Sequence, residues 1–131
     1  MIGSKKVVLD ASAVLALLLR EPGGEKLTAE LLVDAVVSTV NLAEVQTKLV
    51  KEGYDPDEAW EDAVSLVPTV ESYGAEQAKA AGTLVRTTQP FGLSLGDRSC
   101  LALAIALQAE VYTTEKLWKN LKLGIPIHVI R

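Results

Sequence analysis

Apolar and polar positions alternate along this chain in short blocks. Lys6–Leu9 (KVVL) is a brief β-branched run with polar flanks, the pattern of a strand buried on both faces. Asp10 ends it, and Ala11–Arg20 (ASAVLALLLR) is a strong helix former that Pro22-Gly23-Gly24 is expected to stop. Glu25–Asp34 carries Leu27, Leu31 and Leu32 at helical spacing, and Ala35–Ser38 reads as a second strand. Asn41–Glu52 is predicted helical, with Gly53 as its C-terminal cap. Asp57–Ser65 follows Asp55-Pro56 as a further helix. Val67–Val70 reads as a third strand, and its Pro68 suits a sheet edge. Ala75–Arg86 is an alanine-rich helix, and Thr87–Gly96 (TTQPFGLSLG) a loop. Asp97–Gln108 (DRSCLALAIALQ) is apolar nearly all round, which predicts the most buried helix. Glu110–Thr113 is a fourth strand, Lys116–Leu121 a short helical turn, and Ile125–Ile130 a fifth strand. So dense an alternation predicts an α/β fold, a three-layer α/β/α sandwich with a mostly parallel sheet of about five strands.

Length and composition narrow the class. A chain of 131 residues is one domain's worth, so residues 1–131 read as a single domain. Hydrophobic residues at 49% and charged residues at 23% exclude disorder and a disulfide scaffold. The longest uncharged apolar stretches, Ala11–Leu19 and Ser99–Ala109, fall short of the ~18 residues of a membrane span, so no membrane partner is expected. The opening Met-Ile-Gly-Ser-Lys-Lys lacks signal-peptide anatomy, and a lone Cys100 cannot form an intramolecular disulfide; both fit a reducing cytoplasm. With 17 acidic against 13 basic residues, the formal net charge is −4, unlike the basic surplus of a generic polyanion binder. The informative question is where the acids sit.

In a parallel sheet the strand C-terminal ends share one rim, and the returning helices start there. Ligands bind along that rim. Asp10 directly follows the first strand, Glu44 lies in the first turn of the helix after the second, Asp97 opens the buried helix, and Glu115 comes just after the fourth strand. Ser12 accompanies Asp10, and Thr113 accompanies Glu115. Each acid also has a plain structural explanation. Asp10 could cap the helix at Ala11, Asn41-Leu-Ala-Glu44 and Ser94-Leu-Gly-Asp97 resemble capping boxes, and Glu115 could offset a helix dipole. Together they would repel: two unit charges at ~4 Å cost ~4 kcal/mol at an effective dielectric of 20. A divalent cation relieves this, and carboxylate oxygens suit Mg2+ or Mn2+ rather than zinc. Such a centre activates water against a phosphoryl group. His128, in the last strand, reads as structural and Cys100 as a small core residue. Gly23-Gly24 reads as a helix break only, and the absence of a G-x-x-x-x-G-K-[ST] loop argues against a P-loop NTPase.

The segments Val8-Leu9-Asp10-Ala11-Ser12-Ala13, Asn41-Leu-Ala-Glu44-Val45, Leu93–Ala104 and Tyr112-Thr113-Thr114-Glu115, in this order and spacing, resemble a PIN domain. Within that family the chain is most similar to VapC-type toxins of type II toxin–antitoxin systems, over essentially its whole length. The resemblance implies a Mg2+- or Mn2+-dependent endoribonuclease with an RNA substrate, a homodimer, and a cognate antitoxin protein that blocks the site. It implies Asp10, Glu44 and Asp97 as metal-binding acids. Glu115 stands where the family usually has aspartate, two residues after a threonine that is Thr113 here. Being one methylene longer, it is expected to act through water or on a second metal. Ser12 and Thr113 are expected to orient carboxylates or the scissile phosphate. Arg98 either pairs with Asp97 or reaches a phosphate. Lys116, Lys119 and Lys122, with Trp118 among them, form either an RNA-tracking face or a solvated lysine face around a packing tryptophan. Val14, Leu15, Leu18 and Leu19 exceed one buried stripe, which predicts a homodimer contact and a groove nearby for an antitoxin helix.

Three other readings stand beside this one. A non-catalytic PIN-like module would bind RNA or protein without cutting. Asp10-Ala-Ser12 departs from the Asp-x-Asp of haloacid dehalogenases, and no Asp immediately follows Val70, where a receiver domain would need its phosphoacceptor.

Overall fold

A computed structural model describes residues 5–131. Its five strands, β1 (Val7–Leu9), β2 (Ala35–Ser38), β3 (Thr69–Glu71), β4 (Glu110–Thr113) and β5 (Ile127–Val129), form one sheet in the order β3-β2-β1-β4-β5, with every neighbouring pair parallel. The central strand β1 (Val7–Leu9) is wholly buried, which explains its unbroken apolar run. Successive side chains of a strand point to opposite faces. Val7 and Leu9 of β1, with Ala35 and Val37 of β2 (Ala35–Ser38), face a core shared with α1 (Ala11–Leu18), α3 (Thr39–Lys51) and α4 (Pro56–Ser65). Val8 and Val36, with Val111 of β4 (Glu110–Thr113), face a second core under α7 (Leu95–Leu107). Helices therefore cover both faces, as the alternation predicts.

Several element boundaries differ from expectation, each for a local reason. The first helix ends at Leu18, and Arg20 takes a left-handed φ of 54° before the proline is reached. Gly23 and Gly24 do more than break it. A Cβ on Gly23, whose φ is 93°, would collide with the Ile130 carbonyl, and one on Gly24 with the Ala16 carbonyl. The expected helix at Glu25–Asp34 splits into a 3-10 turn at Gly24–Lys26 and a short α2 (Ala29–Leu32), because Thr28 caps a new start by accepting from the Leu31 N–H. The next helix starts at Thr39 rather than Asn41, since the Ser38 hydroxyl takes the cap and accepts from the Val40 N–H. Gly53, with φ 98°, follows its end as expected. Asp55 caps α4 and Pro56 fills its first turn.

The third strand is Thr69–Glu71 (β3), at a sheet edge with Pro68 just before it. The alanine-rich helix breaks into α5 (Ala75–Thr83) and α6 (Val85–Thr88), and a 3-10 turn at Gln89–Phe91 takes part of the expected loop. In α7 the residues Ser99–Ala104 are buried, but Ile105–Leu107 are exposed, so its apolar surface is not buried all round. The last strand shortens to Ile127–Val129 (β5). The leucines of α1 beyond Val14 are half-buried, packed in part against the first core. Among the described residues no single helix is long and apolar enough to cross a membrane.

Candidate active site

Asp10 leaves the central strand and caps α1. Its Oδ1 accepts from the Ala13 N–H and the Ser12 hydroxyl, both at 2.8 Å, and its Oδ2 accepts from the Thr113 hydroxyl at 2.7 Å. The β1–β4 register, with Leu9 opposite Tyr112, brings Thr113 beside it. The two hydroxyls are themselves fixed: Ser12 Oγ accepts from the Thr114 N–H and Thr113 Oγ1 from the Glu115 N–H, each at 3.0 Å. Capping and site-building thus use the same carboxylate. Asp10 is 3% exposed. Burial raises its pKa from 3.8 to about 6, the Asp97 charge adds slightly, and the hydrogen bonds from Thr113, Ala13 and Ser12 pull the other way.

Glu44 sits in the second turn of α3, not the first, because that helix starts at Thr39. Asn41 is therefore not a cap. Its Nδ2 donates to Glu44 Oε1 at 2.8 Å and to the Gly96 carbonyl of α7 at 3.1 Å. Asp97 forms the expected capping box: its Oδ2 accepts from the Ser94 N–H at 3.0 Å, and Ser94 Oγ accepts from the Asp97 N–H at 3.1 Å. Glu115 precedes the 3-10 turn Lys116–Asn120 and makes no side-chain capping bond. All four acids line one cleft of about 280 Å³ at the C-terminal rim, together with Ser12, Leu15 and Lys48. A larger open groove of about 520 Å³ along α3 shares Glu44 and Lys48 with it.

As the side chains stand, no three acids, histidines or cysteines among the described residues are close enough to ligate one ion. The donor set still fits Mg2+ or Mn2+. It is all oxygen, and Mg2+ commonly takes one or two carboxylates and keeps its remaining positions for water. Asp10 is a buried carboxylate with no ion pair among the described residues, the setting in which a cation compensates most.

Other expectations change. Arg98 neither pairs with Asp97 nor lines the cleft; its Nη1 donates to the Ala81 carbonyl at 2.8 Å and ties α7 to α5. Trp118 is 2% exposed in the second core, so it cannot stack on a base, while Lys116, Lys119 and Lys122 stay exposed around it. His128 pairs with Glu110 at 2.7 Å and stacks on Tyr112 at 4.5 Å, outside the cleft. Burial pushes the Cys100 thiol well above its usual pKa, as do the charges of Asp10, Asp97 and Glu44, which leaves it no nucleophile. Sequence reasoning missed Asn41, Gly96 and Lys48 as neighbours of the site. The available signals were helical spacing from Glu44 at i−3 and i+4, and a glycine inside an apolar helix, a choice that costs ~1 kcal/mol against alanine.

The PIN domain family model matches residues 7–122. No curated protein matches the chain. The fold is similar to DNA-bound VapBC from Salmonella typhimurium, at 17% identity and a TM-score of 0.75, covering 95% of this chain and 97% of that one. It is similar to VapC20 from Mycobacterium tuberculosis, a sarcin–ricin loop cleaving toxin, at 17% identity and a TM-score of 0.73, covering 92% and 99%. VapBC2 from Rickettsia felis, bound to a promoter DNA fragment, matches at 19% identity with a TM-score of 0.70, covering 92% and 96%. With a family match that runs from the central strand past the fourth acid, and with the same fold in these structures, the chain belongs to the PIN domain family.

Proposed function

We propose that this protein is a Mg2+- or Mn2+-dependent endoribonuclease. It acts in the cytoplasm as a single-domain chain paired in a homodimer, and serves as the toxin of a toxin–antitoxin pair restrained by a cognate antitoxin. The observation that carries the nuclease reading is Asp10, a buried carboxylate locked by three hydrogen bonds and facing a cleft shared with Glu44, Asp97 and Glu115. The toxin reading is supported by the similar structures, among them a sarcin–ricin loop cleaving toxin and a toxin–antitoxin complex from Klebsiella pneumoniae.

Asp10 and Asp97 would hold the ion, with Glu44 and Glu115 reaching it directly or through water. An ion held there would supply the Lewis acidity that activates water and offsets charge on the phosphoryl group. Thr113 and Ser12 fix both Asp10 oxygens, so that carboxylate needs no reorganisation when substrate arrives. The capping box leaves Asp97 Oδ1 free while Oδ2 is engaged. Lys48 offers a substrate phosphate positive charge at the cleft wall. Attack of water at phosphorus leaves a 5′-phosphate and a 3′-hydroxyl. The test is cleavage of RNA with Mg2+ or Mn2+, with EDTA, and by Asp10→Asn. We expect cleavage only with metal, and none by the folded variant. Undiminished cutting in EDTA, or no cleavage of any RNA by the wild type with Mn2+, would falsify the reading.

A further inference from the structure

We infer that Asn41 and Gly96 are positioning residues for Glu44. The Asn41 amide holds the Glu44 carboxylate at the rim, and the missing side chain of Gly96 gives that carboxylate its place against α7. The inference rests on the nuclease reading above.

Asn41 is 1% exposed. Its single NH2 group serves two acceptors on different helices, Glu44 Oε1 and the Gly96 carbonyl. The amide cannot be turned round, because its oxygen would then face a carboxylate and a carbonyl, neither of which can donate. In this orientation Asn41 Oδ1 is buried and has no hydrogen-bond partner among the described residues. A buried acceptor without a donor is destabilising, and an aliphatic side chain would avoid that penalty. What an asparagine supplies here is its pair of donors. Aspartate could not replace it, since it would set a second carboxylate against Glu44.

Gly96 has no left-handed backbone to explain it; it lies in the first turn of α7 with no positive φ. Space explains it. A Cβ there would fall on Oε1, Oε2 and Cδ of Glu44. Glu44 is otherwise an exposed side chain with three rotatable bonds, and held this way it keeps a fixed relation to Asp97, the next residue after Gly96.

The test is a mutant cycle of Asn41→Ala, Asn41→Asp and Gly96→Ala, each made in the wild type and in Glu44→Ala. The readouts are kcat and KM for RNA cleavage, Mn2+ affinity by calorimetry, and stability by urea. In the wild-type background we expect each change to lower kcat and Mn2+ affinity about 10- to 100-fold, with KM nearly unchanged. In the Glu44→Ala background none should have a further effect on either. Equal losses in both backgrounds, or an unchanged Mn2+ affinity, would show a packing role only and overturn the inference. If Gly96→Ala does not fold, the Asn41 variants carry the test alone. If the wild type neither binds Mn2+ nor cuts RNA, the nuclease reading fails. The stabilities of Asn41→Ala, Glu44→Ala and their combination then decide about the Asn41–Glu44 bond: non-additive values support it, additive ones overturn it.

Discussion

Asp10 carries a stability cost that a pH titration can read. Its folded pKa of about 6 lies above the unfolded 3.8, so the folded state binds the proton more tightly. The contribution of Asp10 to stability is therefore full below its unfolded pKa of 3.8, where it is protonated in both states, and is lost as pH rises through about 6. The gap between 3.8 and about 6 corresponds to about 3 kcal/mol. Asp10→Asn should remove that slope, leaving the variant more stable than the wild type at pH 7.5 and not at pH 4. Urea unfolding in EDTA at both values checks this, and a flat wild-type profile would contradict it. Asp97 differs because it is half-buried and its oxygen serves the capping box, a bond that an asparagine oxygen also makes. Asp97→Asn should thus cost up to ~1 kcal/mol of helix-dipole stabilisation rather than raise stability.

At the scale of elements, the strands were legible and the helix divisions were not. Buried parallel strands are near-continuous apolar runs, so β1 and β2 stand out in the sequence, while β4 shows its one buried face by alternation. Whether a helix continues depends on side-chain hydrogen bonds to backbone that a hydrophobic pattern does not show. Ser38 takes the α3 cap from Asn41, and near the α5–α6 break Thr83, Thr87 and Thr88 all bond back to carbonyls. The same gap hid the second half of the site. Asp10 and Asp97 are read directly from a strand end and a helix start, whereas Asn41 and Gly96 gain meaning only when α3 meets α7. Glu115 tests the boundary of that legibility, since it lines the cleft from the head of a 3-10 turn without capping it. Glu115→Gln should leave stability nearly unchanged and lower cleavage most at low Mn2+ concentration. Glu115→Asp, with its shorter arm, should be impaired too. A Gln variant as fast as the wild type at every Mn2+ concentration would leave a three-carboxylate centre.

The whole molecule is acidic, yet cations gather beside the cleft. Lys48 and Lys51 line the α3 groove, and Lys116 and Lys119 are exposed just past Glu115. RNA binding should therefore weaken with salt despite the net charge of −4. Lys48→Met should weaken binding across sequences and reduce the slope of log affinity against log salt by about 1. An unchanged slope would mean that Lys48 merely offsets Glu44. Exposed apolar side chains, among them Val33, Val85, Leu95 and Leu117, are available to the proposed homodimer. Light scattering at micromolar concentration should give twice the 14.0 kDa chain mass, and a monomer would remove the dimer.

The bond from Thr113 to Asp10 spans 103 residues of sequence. At about 5–20 residues per second, a ribosome needs about 5–20 s to travel from one to the other. Throughout that interval β1 lacks β4 on one side, and the Asp10 carboxylate lacks both Thr113 and Glu115 as neighbours. A nascent or prematurely terminated chain that lacks β4 thus cannot complete the proposed centre, which stays unfinished until Thr113 and Glu115 have emerged.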